Sequence, residues 1–194
     1  MSDATSETRR RQIMDAVVDL TVVGGLQSAT FRTIADRAGI SVRLVQYYFG
    51  DKDHLLADTL AYVGREAVHR IANALDATGR DTPRTVIESI CEEFLPLDEE
   101  RRRTMLVFIA FRTAALTDPG LASSQELGLA DSLVATFHEQ LRAARPNRPD
   151  EDLRSDAILL AAELAGLANM ILAGELTPAA ARRHLRYSID RAVK

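Results

Sequence analysis

The chain has 194 residues, 46% hydrophobic and 27% charged, enough for one compact domain or two small ones that share a helix. That balance excludes a disordered tail and a collagen, and the single cysteine, Cys91, excludes an internal disulfide and a cysteine-built metal site. The net charge of −4 is uneven: residues 1–52 hold seven basic residues against six acids, and the rest hold 17 against 22, so any surface for a polyanion belongs at the N-terminal end.

Helical periodicity runs through nearly every segment, and ten glycines and six prolines are few for a turn-rich β fold. The first helix is expected from about Glu7 to Val23, with Ile13, Val17, Leu20 and Thr21 on one stripe and Gly24-Gly25 as its stop. Its start is polar, with no apolar stretch behind a basic run, so no secretory signal is expected and the compartment is the reducing cytoplasm. Thr30 then N-caps a short helix, Phe31–Ala38, which Gly39 ends. Ser41 caps the next, Val42–Tyr48, which Gly50 breaks. Asp51 caps a connecting helix through Leu75, with Leu55, Leu56, Leu60, Val63 and Val68 as core positions. Gly64 lies inside it, where it costs about 1 kcal/mol relative to Ala and permits a bend.

Beyond Gly79 the pattern predicts helices over Pro83–Leu95, Glu99–Leu116, Leu121–Ala144, Leu153–Ala173 and Pro178–Val193, separated by Pro96, Asp118-Pro119-Gly120, the Arg145–Pro149 run and Thr177-Pro178. Thr82-Pro83 and Thr177-Pro178 are cap-then-proline starts. Ala157–Gly174 is apolar enough to suggest a membrane span. Its Glu163, Asn169 and many small residues fit a closely packed helix better, and no membrane partner is expected. The fold class is therefore all-α.

The most informative stretch is Thr30–Phe49, TFRTIADRAGISVRLVQYYF. Ala35, Gly39, Ile40 and Val45 stand at relative positions 5, 9, 10 and 15, the spacing a helix-turn-helix needs. A small Ala35 lets the second helix cross closely, Gly39 permits a left-handed turn, and Ile40 and Val45 seal the core with Ile34, Ala38 and Leu44. The second helix exposes Val42, Arg43, Gln46 and Tyr47, a donor-rich face: Arg suits guanine, Gln suits adenine, and Tyr hydroxyls reach phosphates.

At this point the sequence resembles the TetR/AcrR family of transcriptional regulators. The resemblance rests on a basic run opening the first helix, on TFRTIADRAGIS, on the YYF ending of the third helix and on GDKDHLL opening the fourth, together about Arg9–Leu56. It implies a DNA-binding domain over residues 1–50, behind a flexible basic arm, and a ligand-binding and dimerisation domain over 51–194, with 51–75 as connector. It implies a homodimer, held through its last two helices, that represses by occupying a double-stranded operator and leaves it when a small molecule binds. Carried over by position, Thr30, Arg32, Thr33 and Ser41 are phosphate contacts or caps, and Tyr48 and Lys52 are backbone contacts, Lys52 at a helix start exposed to solvent. Arg43 and Gln46 stand where the family commonly has a small residue and Tyr, so they become the leading base readers here.

Other candidates stay open between alternative readings. Arg9–Arg11 are either an arm on phosphates or a disordered tail. Arg112, Glu163 and Asn169, polar groups set in apolar helices, line a pocket with Met105, Phe108 and Phe111, pair across the dimer or lie exposed at the surface. Ala161, Ala162, Ala165, Gly166 and Ala168 allow close helix approach, and Leu160, Leu164, Leu167 and Ile171 beside them are expected to supply the apolar area of the dimer. His54, His69, His138 and His184 are scattered, and no nucleophile motif or phosphate loop is present, so neither catalysis nor a metal or cofactor is expected. A helical interaction module without DNA is the remaining alternative, and it would make Arg43 and Gln46 incidental.

Overall fold

The computed structural model describes residues 3–78, 82–118 and 129–194. Among them it has nine α-helices and no strand, as the periodicity predicts. They are α1 (Asp3–Gly24), α2 (Phe31–Ala38), α3 (Val42–Phe49), α4 (Lys52–Thr78), α5 (Pro83–Phe94), α6 (Glu99–Ala115), α7 (Leu129–Ala144), α8 (Asp150–Leu172) and α9 (Pro178–Val193), with a single 3-10 turn at Leu26–Ser28. The expected helix Leu121–Ala144 is found from Leu129, and 121–128 lie outside the described residues.

The chain divides into two compact units, Met1–Arg65 with Leu106–Leu127, and Glu66–Met105 with Gly128–Lys194. In the first, α1 packs on α2 and α2 on α3. Ile13, Val17, Ile34, Ala35, Val45, Leu55 and Leu56 are buried there, and Phe49 closes the end of α3. The caps are those the residues dictate. Thr30 and Thr33 form a reciprocal capping box, Ser41 Oγ accepts from the Leu44 N–H at 3.2 Å, and Asp51 Oδ1 accepts from the His54 N–H at 2.9 Å. Gly39 sits at φ 66°, a left-handed conformation that a side chain rarely adopts, and this lets the Ile40 N–H reach back to the Ala35 carbonyl.

In the second unit, α8 packs on α7 and α9, and α5 on α7 and α9. Helix α8 is long and apolar enough to cross a membrane by length and composition. It packs along one side on α7 and α9, with Leu153, Ala157, Leu160, Leu164, Leu167 and Ala168 buried, and carries three acids in its first turn. This corrects the expectation that Leu160, Leu164 and Leu167 form a dimer stripe: their i, i+4, i+7 spacing fills the interior of their own unit. The side left open carries Ile158, Leu159, Ala162, Gly166 and Met170. Val68, expected in the core, is 62% exposed; its neighbour Ala67 is buried instead, and Arg70, three residues on from Ala67, reaches into an ion-pair cluster. Arg70 Nε donates to Glu93 at 2.8 Å, its Nη1 to Glu100 at 2.9 Å and its Nη2 to the Thr104 hydroxyl at 3.1 Å, while Arg101 stands 3.5 Å from the other Glu93 oxygen. Cys91 is buried, and desolvation pushes its thiol well above the ordinary range, which keeps it in the inert thiol form.

Candidate nucleic-acid interface

The first unit presents α3 with one side buried and the other open. Val45 is wholly buried and Leu44 half-buried, whereas Arg43, Gln46 and Tyr47 are exposed, Tyr47 at 77%. These three lie at i, i+3 and i+4, on one helical face. Arg43, Gln46 and Arg32 make no side-chain hydrogen bond or ion pair among the described residues, so their donors are unspent. That is the condition for reading bases: a guanidinium fork and an amide held outward on a helix about the width of a major groove.

The other carried-over positions divide by what already occupies them. Thr33 Oγ1 accepts from the Thr30 N–H at 2.9 Å and donates to the Ser28 carbonyl at 2.6 Å, and Thr30 Oγ1 accepts from the Thr33 N–H. Both hydroxyls are thus engaged in starting α2, as that of Ser41 is in starting α3. Tyr48 is half-buried, its ring edge-on to Tyr47 with centroids 5.4 Å apart. Lys52, expected to be exposed, is half-buried in the first turn of α4.

The basic run is not a disordered tail: residues 9–11 belong to α1, and each guanidinium has a partner within the unit. Arg9 Nη1 donates to Gln12 at 2.6 Å and Arg11 Nε to the Tyr62 hydroxyl at 3.1 Å. Arg10 donates to the Tyr48 carbonyl at 2.7 Å, pairs with Asp58 and lies over the Phe49 ring at 4.4 Å. These partners lie 38 to 51 residues away for Arg10 and Arg11, a distance at which a run of charges gives no sign of them.

The six ligand candidates do not converge in the same way. Met105, Phe108 and Phe111 are buried, but Arg112 and Asn169 are exposed to solvent. Glu163 is half-buried and opens on a pocket of about 370 Å³ lined also by Arg148, Asp156, Leu159, Tyr187 and Arg191, residues that no motif in the sequence marks. Arg112 fails as a buried polar group because it falls on the solvent side of the last turn of α6, beside Thr113.

Comparison with known proteins agrees with this geometry. The profile of bacterial regulatory proteins of the tetR family matches residues 13–59, and that of the BetI-type transcriptional repressor C-terminal domain matches residues 83–194. The HTH-type transcriptional regulator BetI of Burkholderia thailandensis is 31% identical over 82% of this chain and 84% of its own length. A transcriptional regulator from Rhodococcus sp. Rha1 superposes with a TM-score of 0.71 at 28% identity, covering 95% of this chain and 93% of its own. A regulator from Saccharomonospora viridis, solved in complex with choline, shares the fold with a TM-score of 0.77 at 21% identity over 95% of each chain. On the helix-turn-helix, on the two profiles and on the BetI relative, this chain belongs to the TetR family of helix-turn-helix transcriptional regulators and has a C-terminal domain of the BetI type.

Proposed function

We propose that this chain is a homodimeric repressor that reads a near-palindromic operator with Arg43 and Gln46 of α3 and is released by a small cationic effector. The observation that carries the reading is the unspent donor face of α3, with Arg43, Gln46 and Tyr47 turned outward from a capped and buried helix. Residues 1–50 form the DNA-binding part and residues 51–194 the sensing and dimerising part, working in the cytoplasm beside the operator. Two α3 helices placed one helical turn of DNA apart enter successive major grooves.

The second copy is held by the open side of α8 and α9. Ile158, Ala162 and Gly166 repeat at i+4, a ridge that packs closely against another helix, and the flanking Leu159, Met170 and Tyr187 are exposed. Choline is the first effector to test, since a protein of this fold holds it and the C-terminal profile is of the BetI type. A ligand shifts the repressor only by binding its DNA-free conformation more tightly than its DNA-bound one.

The test is selection of bound sites from random duplex DNA by the purified protein, followed by choline titration of the selected complex. The expected result is a two-fold symmetric site that choline releases. Recovery of no preferred sequence would overturn the DNA reading, and release by no concentration of choline would overturn the effector.

A further inference from the structure

We propose that Arg10 is a positioning residue for DNA recognition: from α1 it caps the C-terminal end of the recognition helix α3 and ties it to α4, and it does not itself touch DNA. This rests on the reading of α3 as the recognition helix.

The last carbonyls of a helix have no partner within the helix. At the end of α3, the Gln46 carbonyl accepts from the Gly50 N–H and the Phe49 carbonyl from the Asp51 N–H. The Tyr48 carbonyl accepts from Arg10 Nη1 at 2.7 Å, so a side chain 38 residues away completes the cap. A cation at that point also faces the negative end of the α3 dipole. The second nitrogen of the same fork is paired with Asp58 on α4, and the guanidinium lies over the ring of Phe49, a residue only 6% exposed. One planar group thus meets a backbone oxygen of α3, a carboxylate of α4 and an aromatic ring. Lysine, with a single ammonium, has no geometry for all three.

Two residues further along α1, Gln12 Nε2 donates to the Ala38 carbonyl at 2.7 Å, at the end of α2. Helix α1 therefore caps the C-terminal ends of both helices of the helix-turn-helix from within a single turn. Arg37 of α2 returns a bond to Asp19 of α1 at 2.6 Å. The direction of α3 is set by this frame, and Arg10 is the member that acts on α3 directly. Its charge is neutralised by Asp58, whereas Arg43 has no such partner among the described residues.

The experiment measures affinity for the selected operator and for unrelated duplex DNA over a range of salt, with Arg10→Ala, Arg10→Lys, Asp58→Asn and the Arg10→Ala/Asp58→Asn pair; circular dichroism confirms helicity. Arg10→Lys and Asp58→Asn are near-isosteric and carry the test if Arg10→Ala does not fold. The expected result is a loss of about tenfold on the operator, the scale of one charge-assisted hydrogen bond. Unrelated DNA and the slope of log affinity against log salt should stay unchanged. Lys should not rescue, and the double variant should be no worse than Arg10→Ala. Equal losses on all DNA, a slope lower by about one and rescue by Lys would instead make Arg10 a phosphate contact. Wild-type affinity in every variant would make the cap dispensable. If the wild type selects no site at all, the recognition reading itself fails, and this inference falls with it.

Discussion

Arg70 and Glu93 face each other across α4 and α5 at 2.8 Å, and the Glu93 side chain is only 2% exposed while Arg70 keeps 23% of its surface in water. The pair is therefore asymmetric. Glu93 depends on its partners for all of its solvation, and Arg70 does not.

Removing Arg70 should accordingly cost more than the pair is worth. Arg70→Ala leaves Glu93 with Arg101 at 3.5 Å, and we expect about 2–4 kcal/mol of lost stability. Arg70→Met with Glu93→Leu should recover most of it, since no buried charge is then left alone. Urea unfolding of the wild type and the two variants decides the matter; a double variant less stable than Arg70→Ala contradicts it.

On the recognition helix, Arg43→Ala should cost about 1–3 kcal/mol on the preferred operator and relax choice at one base pair per half-site. Gln46→Ala should relax a neighbouring pair. Lys52→Ala should weaken every sequence alike and reduce the salt slope by about one. Site selection repeated with each variant separates the two behaviours, and an unchanged preferred site for Arg43→Ala assigns it to phosphate.

Asp51 and His54 give the start of α4 a pH dependence of known sign. Accepting the His54 backbone N–H, and then its imidazole, holds the Asp51 carboxyl below its ordinary 3.8. The bond to Asp51, and then its charge, raises His54 above its ordinary 6.5. A raised imidazole contributes below its unfolded value and is lost as pH rises through the folded one. A lowered carboxylate contributes above its unfolded value and is lost as pH falls through the folded one. The pair is thus at full strength between the two ordinary values. Proton NMR should place the His54 midpoint higher than in Asp51→Asn, and the protection factors of amides in the first turn of α4, which remove the intrinsic pH dependence of exchange, should be larger at about pH 6 than at about pH 8. Equal midpoints in both proteins would falsify the assignment.

The two sides of α8 should respond oppositely to charge. Leu167→Arg puts a cation at a site that is 8% exposed in the monomer and should leave unfolded or insoluble protein. Ile158→Arg, at a site 48% exposed, should leave helicity intact and give monomers in analytical ultracentrifugation. A stable Ile158→Arg dimer places the interface elsewhere.

Local signals were legible in the sequence, and distant ones were not. Thr30, Gly39, Ser41 and Gly50 punctuate α2 and α3 because capping acts within three or four residues, and α2 runs over Phe31–Ala38 as the residues predict. The Thr-Pro pairs placed the starts of α5 and α9 for the same reason. Helix α8 misled because it is apolar nearly all round: two stripes of equal periodicity compete, and only packing on α7 and α9 decides which faces inward. The role of Arg10 depends on Asp58 and Tyr48, so no pattern along α1 reveals it.

Two outward side chains of α3 carry little of the weight of the fold. Val45 and Phe49 pack it, Ser41 starts it and Arg10 ends it, and Tyr47 lies edge-on to Tyr48, while Arg43 and Gln46 stand clear of these supports. Surface substitutions of that kind usually move stability by no more than about 0.5 kcal/mol. If α3 reads the operator as proposed, its vocabulary is therefore rewritable: exchanges at residues 43 and 46 should pass from one preferred sequence to another through folded intermediates, leaving the capping frame as it is.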